Sequence, residues 1–300
     1  LEPNDLIDEA CMKRIEIRHL TRYSFDSPVR LEPHTLLLRP REGHDLRIVN
    51  STLEIQPEAT LGWRRDMYDN VLGIATFDGE PTSTLVILSR AEVELYEIMP
   101  LNFLVERHAL LFPFNYRPDE RTALAAYLEP TYSADTGLTD WLENYRQSPR
   151  DIETFTVLDR MNRQINHDIT YAAREQEGVQ TPAETLGLGT GSCRDLAALF
   201  MEACRRLGIA ARFVSGYVHE PALEAGGAAT HAWTEVYLPG AGWKGFDPTN
   251  ATVVGPDHIP VAVHRHPEAV SPVAGSFIGP KDLHSSLSVD VKIHQIRQKV

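Results

Sequence analysis

The sequence predicts an α+β protein in two parts, an antiparallel β-sandwich-like domain in front and a mixed helix-and-strand core behind it. Two observations carry this. From Lys13 to about Glu97 the chain runs in short stretches of alternating or β-branched residues, broken by turns rich in Pro, Asp, Asn and Gly. From Glu120 onward apolar residues recur at helical spacing, and three further alternating segments follow.

The front segments are Ile15 to Ser24, Thr35 to Leu38, Leu46 to Ile55, Val71 to Phe77 and Thr84 to Tyr96, a spacing that fits an antiparallel sandwich. Its histidines, His19, His34 and His44, read as structural or exposed. Helices are expected over Glu120 to Leu128, Leu138 to Tyr145 and Glu153 to His167, the last with Phe155, Leu158, Met161 and Ile165 on one face. A polar loop, Arg174 to Gln180, leads through Gly187, Gly189 and Gly191, read as flexible, into a helix that begins at Cys193 and ends at Leu207-Gly208. Strands Arg212 to Val218, His231 to Leu238 and Trp243 to Phe246 complete the core. The division is therefore a β-rich domain over 12–98, a connecting segment over 99–118, a core over 119–285, and a C-terminal strand over 286–300 that could return to either domain.

Composition narrows the function. A formal net charge of −13 argues against nucleic acid and against an anionic membrane surface as partners. No window approaches the roughly 18 apolar residues a membrane helix needs. Met12-Lys13-Arg14 is followed by the alternating Ile15-Glu16-Ile17-Arg18 and not by an apolar run, so no secretory signal is expected, and the location expected is cytoplasmic. The cysteines are Cys11, Cys193 and Cys204. On one helix Cys193 and Cys204 lie roughly 16 Å apart along the axis, too far for a disulfide.

Cys193 is the candidate nucleophile. It closes Gly189-Thr190-Gly191-Ser192-Cys193 at a helix start, where unpaired N–H groups and the positive dipole end favour a thiolate. Cys204, on the apolar face of the same helix, reads as an inert core residue. Asp195 reads as a partner for the helix dipole. His231 opens an alternating segment, and Pro239-Gly240-Ala241-Gly242 then turns the chain toward Asp247. With an odd-length connection Trp233 lies across from Asp247, and His231 shares their face two residues along. An even connection puts Asp247 on the other face. Thiol, imidazole and carboxylate are the groups that nucleophilic acyl transfer needs. A metal reading of His258, His264 and His266 finds Asp257 as the only nearby carboxylate and no cysteine to complete a tetrahedral set, so no metal or other cofactor is expected.

Four blocks in order, Gly191-Ser192-Cys193-Arg194-Asp195, Arg206-Leu207-Gly208-Ile209 through Tyr217, His231-Ala232-Trp233-Thr234-Glu235-Val236-Tyr237, and Gly242-Trp243-Lys244-Gly245-Phe246-Asp247-Pro248-Thr249, resemble the bacterial transglutaminase-like superfamily. The front half, in Ile17-Arg18-His19-Leu20-Thr21-Arg22-Tyr23-Ser24-Phe25 and Leu36-Leu37-Leu38-Arg39-Pro40-Arg41, resembles the β-rich domain that often precedes such cores in bacteria. The resemblance implies a papain-like, transglutaminase-like core with Cys193 as nucleophile, His231 as base and Asp247 as orienting acid. It implies a cysteine protease or amidase acting on a peptide or protein amide. The alternatives are a transglutaminase that passes the acyl group to an amine, and a catalytically silent binding module. The sequence assigns no oligomeric state. Tyr171, upstream of the nucleophile loop, is a candidate second oxyanion donor.

Overall fold

The computed structural model describes residues 12–96, 99–133, 136–147, 152–174, 176, 178–219 and 230–296; Cys11 lies outside them. Strand outweighs helix, 43% against 24%, so the chain is β-rich. Among the described residues no helix is long and apolar enough to cross a membrane.

The front is built on one long strand, Lys13–Leu31, which pairs antiparallel with Thr82–Leu95 on one side. Leu46–Gln56 continues the sheet beyond Thr82–Leu95. On its other side the long strand takes Ser285–Gln295 and Phe277–Ile278, so the chain's last described strand returns to the front. A second sheet, ordered Val273–Ala274, His34–Leu36, Val71–Thr76, Thr60–Arg65, contributes Leu36 and Ala75 to a cluster with Phe25, Val29, Leu85 and Ile87 of the first. The five expected strands thus lie in these two sheets. The strand Thr60–Arg65 was not expected, because five of its six residues are exposed and no buried side alternates with the solvent side to announce it.

Behind, five antiparallel strands run in the order Thr252–Val253, Gly242–Asp247, Thr230–Leu238, Ala211–Val218, His258–His264. The helix Cys193–Arg206 packs on them. From Leu196 to Met201, and again at Ala203 and Cys204, its side chains are 0% exposed, so it is a central helix, enclosed nearly all round. Phe200 stacks on Phe246 at 5.5 Å, and Thr234 Oγ1 donates to the Ala197 carbonyl at 2.7 Å, fixing helix to sheet along its axis. The segment expected as one helix over Glu120 to Leu128 is two short ones, Pro118–Ala123 and Ala125–Leu128, separated at Leu124 where the backbone leaves helical values.

The loop expected to be flexible ahead of Cys193 contains the helix Pro182–Leu188. Thr181 and Glu184 form a reciprocal capping box, Pro182 sits at the first turn, and Gly189 ends the helix at φ 64°. Thr190–Gly191 then pairs in parallel with Thr170–Tyr171, so the chain entering Cys193 is held by a strand pairing.

The edge strand His258–His264 is covered by the front half. Buried Asn70 imitates a neighbouring strand, giving its amide N–H to the Val263 carbonyl and accepting from the Val263 N–H, both at 2.8 Å. The Arg41 N–H reaches the Pro260 carbonyl at 2.8 Å. His19, buried as a structural residue, bonds Tyr217 Oη at 2.8 Å, and burial lowers its pKa to about 4. The Asn70 and Arg41 contacts satisfy an edge that would otherwise offer bare N–H and C=O groups.

At Gly216 two backbones come too close for a side chain. An added Cβ would stand 2.3 Å from the Ile259 carbonyl oxygen and 2.6 Å from the Trp233 ring. Gly216→Ala is therefore expected to cost about 1–3 kcal/mol of stability by forcing the strands or the ring apart. Chemical denaturation reads this directly, and an unchanged midpoint would contradict the packing described.

Candidate active site

Cys193 is the first helical residue after Ser192, which occupies the N-cap position. What holds this helix start is Asp195. Its side chain is wholly buried, accepts from the Ser192 N–H and Oγ at 2.8 Å each, from the Gln180 N–H at 2.8 Å, and from Arg174 Nη1 at 2.7 and 2.8 Å. Burial by itself would raise the Asp195 pKa, but the Arg174 and backbone bonds outweigh it and hold the pKa low. Asp195 therefore does more than answer the helix dipole, since it ties the residue before the nucleophile to the loop carrying Arg174 and Gln180. The capping box was readable from Ser192 and Asp195; nothing in the sequence announced Arg174 as its partner.

The turn between Thr230–Leu238 and Gly242–Asp247 resolves the register. Leu238 pairs with Gly242 and Thr234 with Phe246, leaving a three-residue connection, so the odd-length alternative holds. His231 and Asp247 come to one face, with His231 Nε2 2.7 Å from Asp247 Oδ2. The imidazole is also hydrogen-bonded to Cys193, and with Nε2 turned to the carboxylate the nitrogen left for sulfur is Nδ1. Burial acts to lower the His231 pKa, yet the bonds and charges of Asp247 and Cys193 prevail and raise it to about 10. Burial likewise acts to raise Asp247, but hydrogen bonds from His231 and His258 hold it far below the ordinary carboxylate range. The structure thus brings Cys193, His231 and Asp247 together in one connected chain of bonds.

Cys204 is enclosed on all sides, and desolvation pushes its thiol pKa up, away from the reactive form. Cys193 and His231 instead border a cleft of about 680 Å³, with Tyr171, Arg194, Phe213 and Glu268 also on its walls. Tyr171 is 53% exposed there.

The three histidines weighed as a metal cluster are separated. His264 and His266 bond one another through the 2.9 Å contact from the His266 N–H to His264 Nδ1, and the His264 ring lies against Tyr68. His258 instead joins Asp247, its Nε2 3.1 Å from Oδ2. The ligand atoms of His231, Asp247 and His258 fall within 4.8 Å of one another, which is the one grouping among the described residues that could hold a metal. Hydrogen bonds between both imidazoles and the carboxylate account for that closeness.

Comparison with known proteins places this site in a family setting. Residues 15–94 match the bacterial transglutaminase-like N-terminal region, and residues 141–248 match the transglutaminase-like superfamily. An uncharacterized protein of Mycobacterium tuberculosis is 29% identical over 306 residues, covering 93% of this chain and 92% of that one. An uncharacterized protein of Mycobacterium leprae is 25% identical over 276 residues, covering 89% and 94%. Among solved structures, "a Putative Cysteine Protease from Cytophaga hutchinsonii" superimposes with a TM-score of 0.74 at 18% identity, over 96% of this chain and 92% of that one, and so shares its fold.

Proposed function

We propose that this protein, which belongs to the transglutaminase-like superfamily and carries the bacterial N-terminal region ahead of its core, is a thiol-dependent hydrolase of amide bonds. The observation that carries the reading is the bonded series from Cys193 through His231 to the buried Asp247, opening on a cleft. A base whose pKa is raised to about 10 keeps its proton at neutral pH, and the proposed mechanism starts from this imidazolium facing the Cys193 sulfur as a thiolate.

In this mechanism Cys193 Sγ attacks the amide carbonyl carbon and the carbonyl oxygen becomes an oxyanion. The Cys193 backbone N–H, at the helix start, donates to it. His231 passes its Nδ1 proton to the departing amine as the C–N bond breaks, leaving a thioester on sulfur. Water then attacks that thioester, His231 takes the water's proton, and collapse of the second oxyanion frees the acid and restores thiolate and imidazolium. Asp247 keeps Nε2–H pointed away from sulfur throughout, so that Nδ1 does the proton transfers.

Iodoacetamide tests the reading without a substrate. Cys193 is expected to label at neutral pH at least about 100-fold faster than Cys204, and to slow in His231→Ala. Equal labelling of the two thiols, followed by peptide mapping, would sink the proposal. Incubating peptide substrates with and without a primary amine then reads the fate of the acyl group: free acid in both is the hydrolase result, and an amine adduct is the transferase result.

A further inference from the structure

The carboxylate of Asp247 is surrounded by donors. Oδ1 accepts from the Thr249 N–H at 3.0 Å and the Asn250 N–H at 3.3 Å. Oδ2 accepts from His231 at 2.7 Å, from Asn250 Nδ2 at 2.9 Å and from His258 Nε2 at 3.1 Å. The Thr249 and Asn250 contacts come from the turn that follows Asp247 itself. His258 is different, because it arrives from the strand at the far edge of the sheet.

Its geometry fixes what it can do. The Gly255 N–H, which can only donate, points at His258 Nδ1 at 3.4 Å, so Nδ1 is the accepting nitrogen and Nε2 carries the hydrogen given to Asp247. The ring is 7% exposed at its side chain and meets the Trp233 indole edge-on at 5.3 Å. Its centroid lies 6.2 Å from that of His231. Trp233 in turn packs over Gly216, where no side chain fits. The Gly255 N–H on Nδ1, the indole beside and the carboxylate ahead hold the His258 ring in this orientation.

We propose that His258 is a positioning residue of this site, whose Nε2–H fixes Asp247 Oδ2 on the line to His231 and thereby supports the Cys193–His231 ion pair. Two imidazoles give hydrogens to one carboxylate oxygen, the His231 ring on the cleft side and the His258 ring behind. Removing the rear donor frees Oδ2 to turn toward Asn250, and the front bond lengthens. The inference rests on the reading of Cys193 as an activated thiol.

The test uses the alkylation rate of Cys193 in the full chain. His258→Phe keeps a ring against Trp233 and removes both nitrogens, whereas His258→Gln places an amide N–H near the position of Nε2. The expected result is about 10-fold slower labelling at pH 7 in His258→Phe, an acid limb of the rate profile moved to higher pH, and recovery of most of the rate in His258→Gln. Thermal unfolding of each variant checks that it is folded at the assay temperature. Folded His258→Phe labelling as fast as wild type, or His258→Gln slowing as much as His258→Phe, would overturn the proposal and assign His258 to packing alone. If wild-type Cys193 labels no faster than Cys204, the failure belongs to the activated-thiol reading and not to His258.

Discussion

Replacing Cys193 with alanine is expected to lower amide turnover by at least about 10⁴-fold, with folding stability changed by less than about 1 kcal/mol. The size follows from the role, since every bond-making step passes through the one sulfur. The small stability effect follows from position. Cys193 is at the cleft margin and 9% exposed, and the helix start it occupies is held by Asp195 and not by the thiol. Cys204→Ala supplies the contrast, leaving turnover near wild type while costing stability through the cavity it opens in the core. Steady-state kinetics and chemical denaturation on the two variants separate these effects. Turnover in Cys193→Ala within 10-fold of wild type would remove the thiol from the mechanism.

Asp247→Asn is the second large effect, about 10³ to 10⁴-fold in kcat/KM, with a change in pH dependence that a packing defect would not give. Five N–H donors converge on the two carboxylate oxygens, so an amide placed there turns its own N–H₂ toward donors and cannot satisfy them. Without the negative charge, the His231 pKa falls from about 10 toward the ordinary imidazole value near 6.5. The alkaline limb of the rate profile, where the imidazolium loses its proton, moves down with it. Stability moves in step. A raised histidine pKa contributes stability fully below its unfolded value and loses it as pH rises through about 10. A depressed carboxylate pKa contributes above its unfolded value of about 4 and loses it on acidification. The wild type's advantage over Asp247→Asn should therefore be full between about pH 4 and 6.5, decline as pH rises from there through about 10, and decline again on acidification below about 4. An alkaline limb unmoved by the substitution would show that Asp247 does not set the His231 proton.

Much of this site was legible because its logic is local. The Cys193 helix start is a cap-and-dipole pattern within a few residues, and the His231 to Asp247 relation depends on the length of one short turn. The sequence left that turn's parity open, and the pairing of Thr234 with Phe246 closed it. His258 was visible as a histidine but was grouped with His264 and His266, its neighbours along the chain. Its actual partner lies across the sheet with two strands between them, and strand order is not written in any local pattern. Arg174 was hidden for the same reason, 21 positions before the Asp195 it neutralises. The helix Pro182–Leu188 was a different kind of loss. Thr181-Pro182-Ala183-Glu184 carries both the capping box and the first-turn proline, but the glycines at 187, 189 and 191 drew the reading toward flexibility.

The long first strand has a consequence for how the chain acquires its shape during synthesis. Arg18 is ion-paired with Asp290, 272 positions later, and the whole run from Ile15 to Phe25 takes its second neighbour from Ser285–Gln295. Until those residues emerge, one edge of the first sheet has no partner, and the nascent chain must keep that edge from pairing with other molecules. Contacts this distant are slow to close, because the loop entropy is lost before the pairing repays it. Completion of the first sheet thus waits for Ser285–Gln295, long after its other strands have been made.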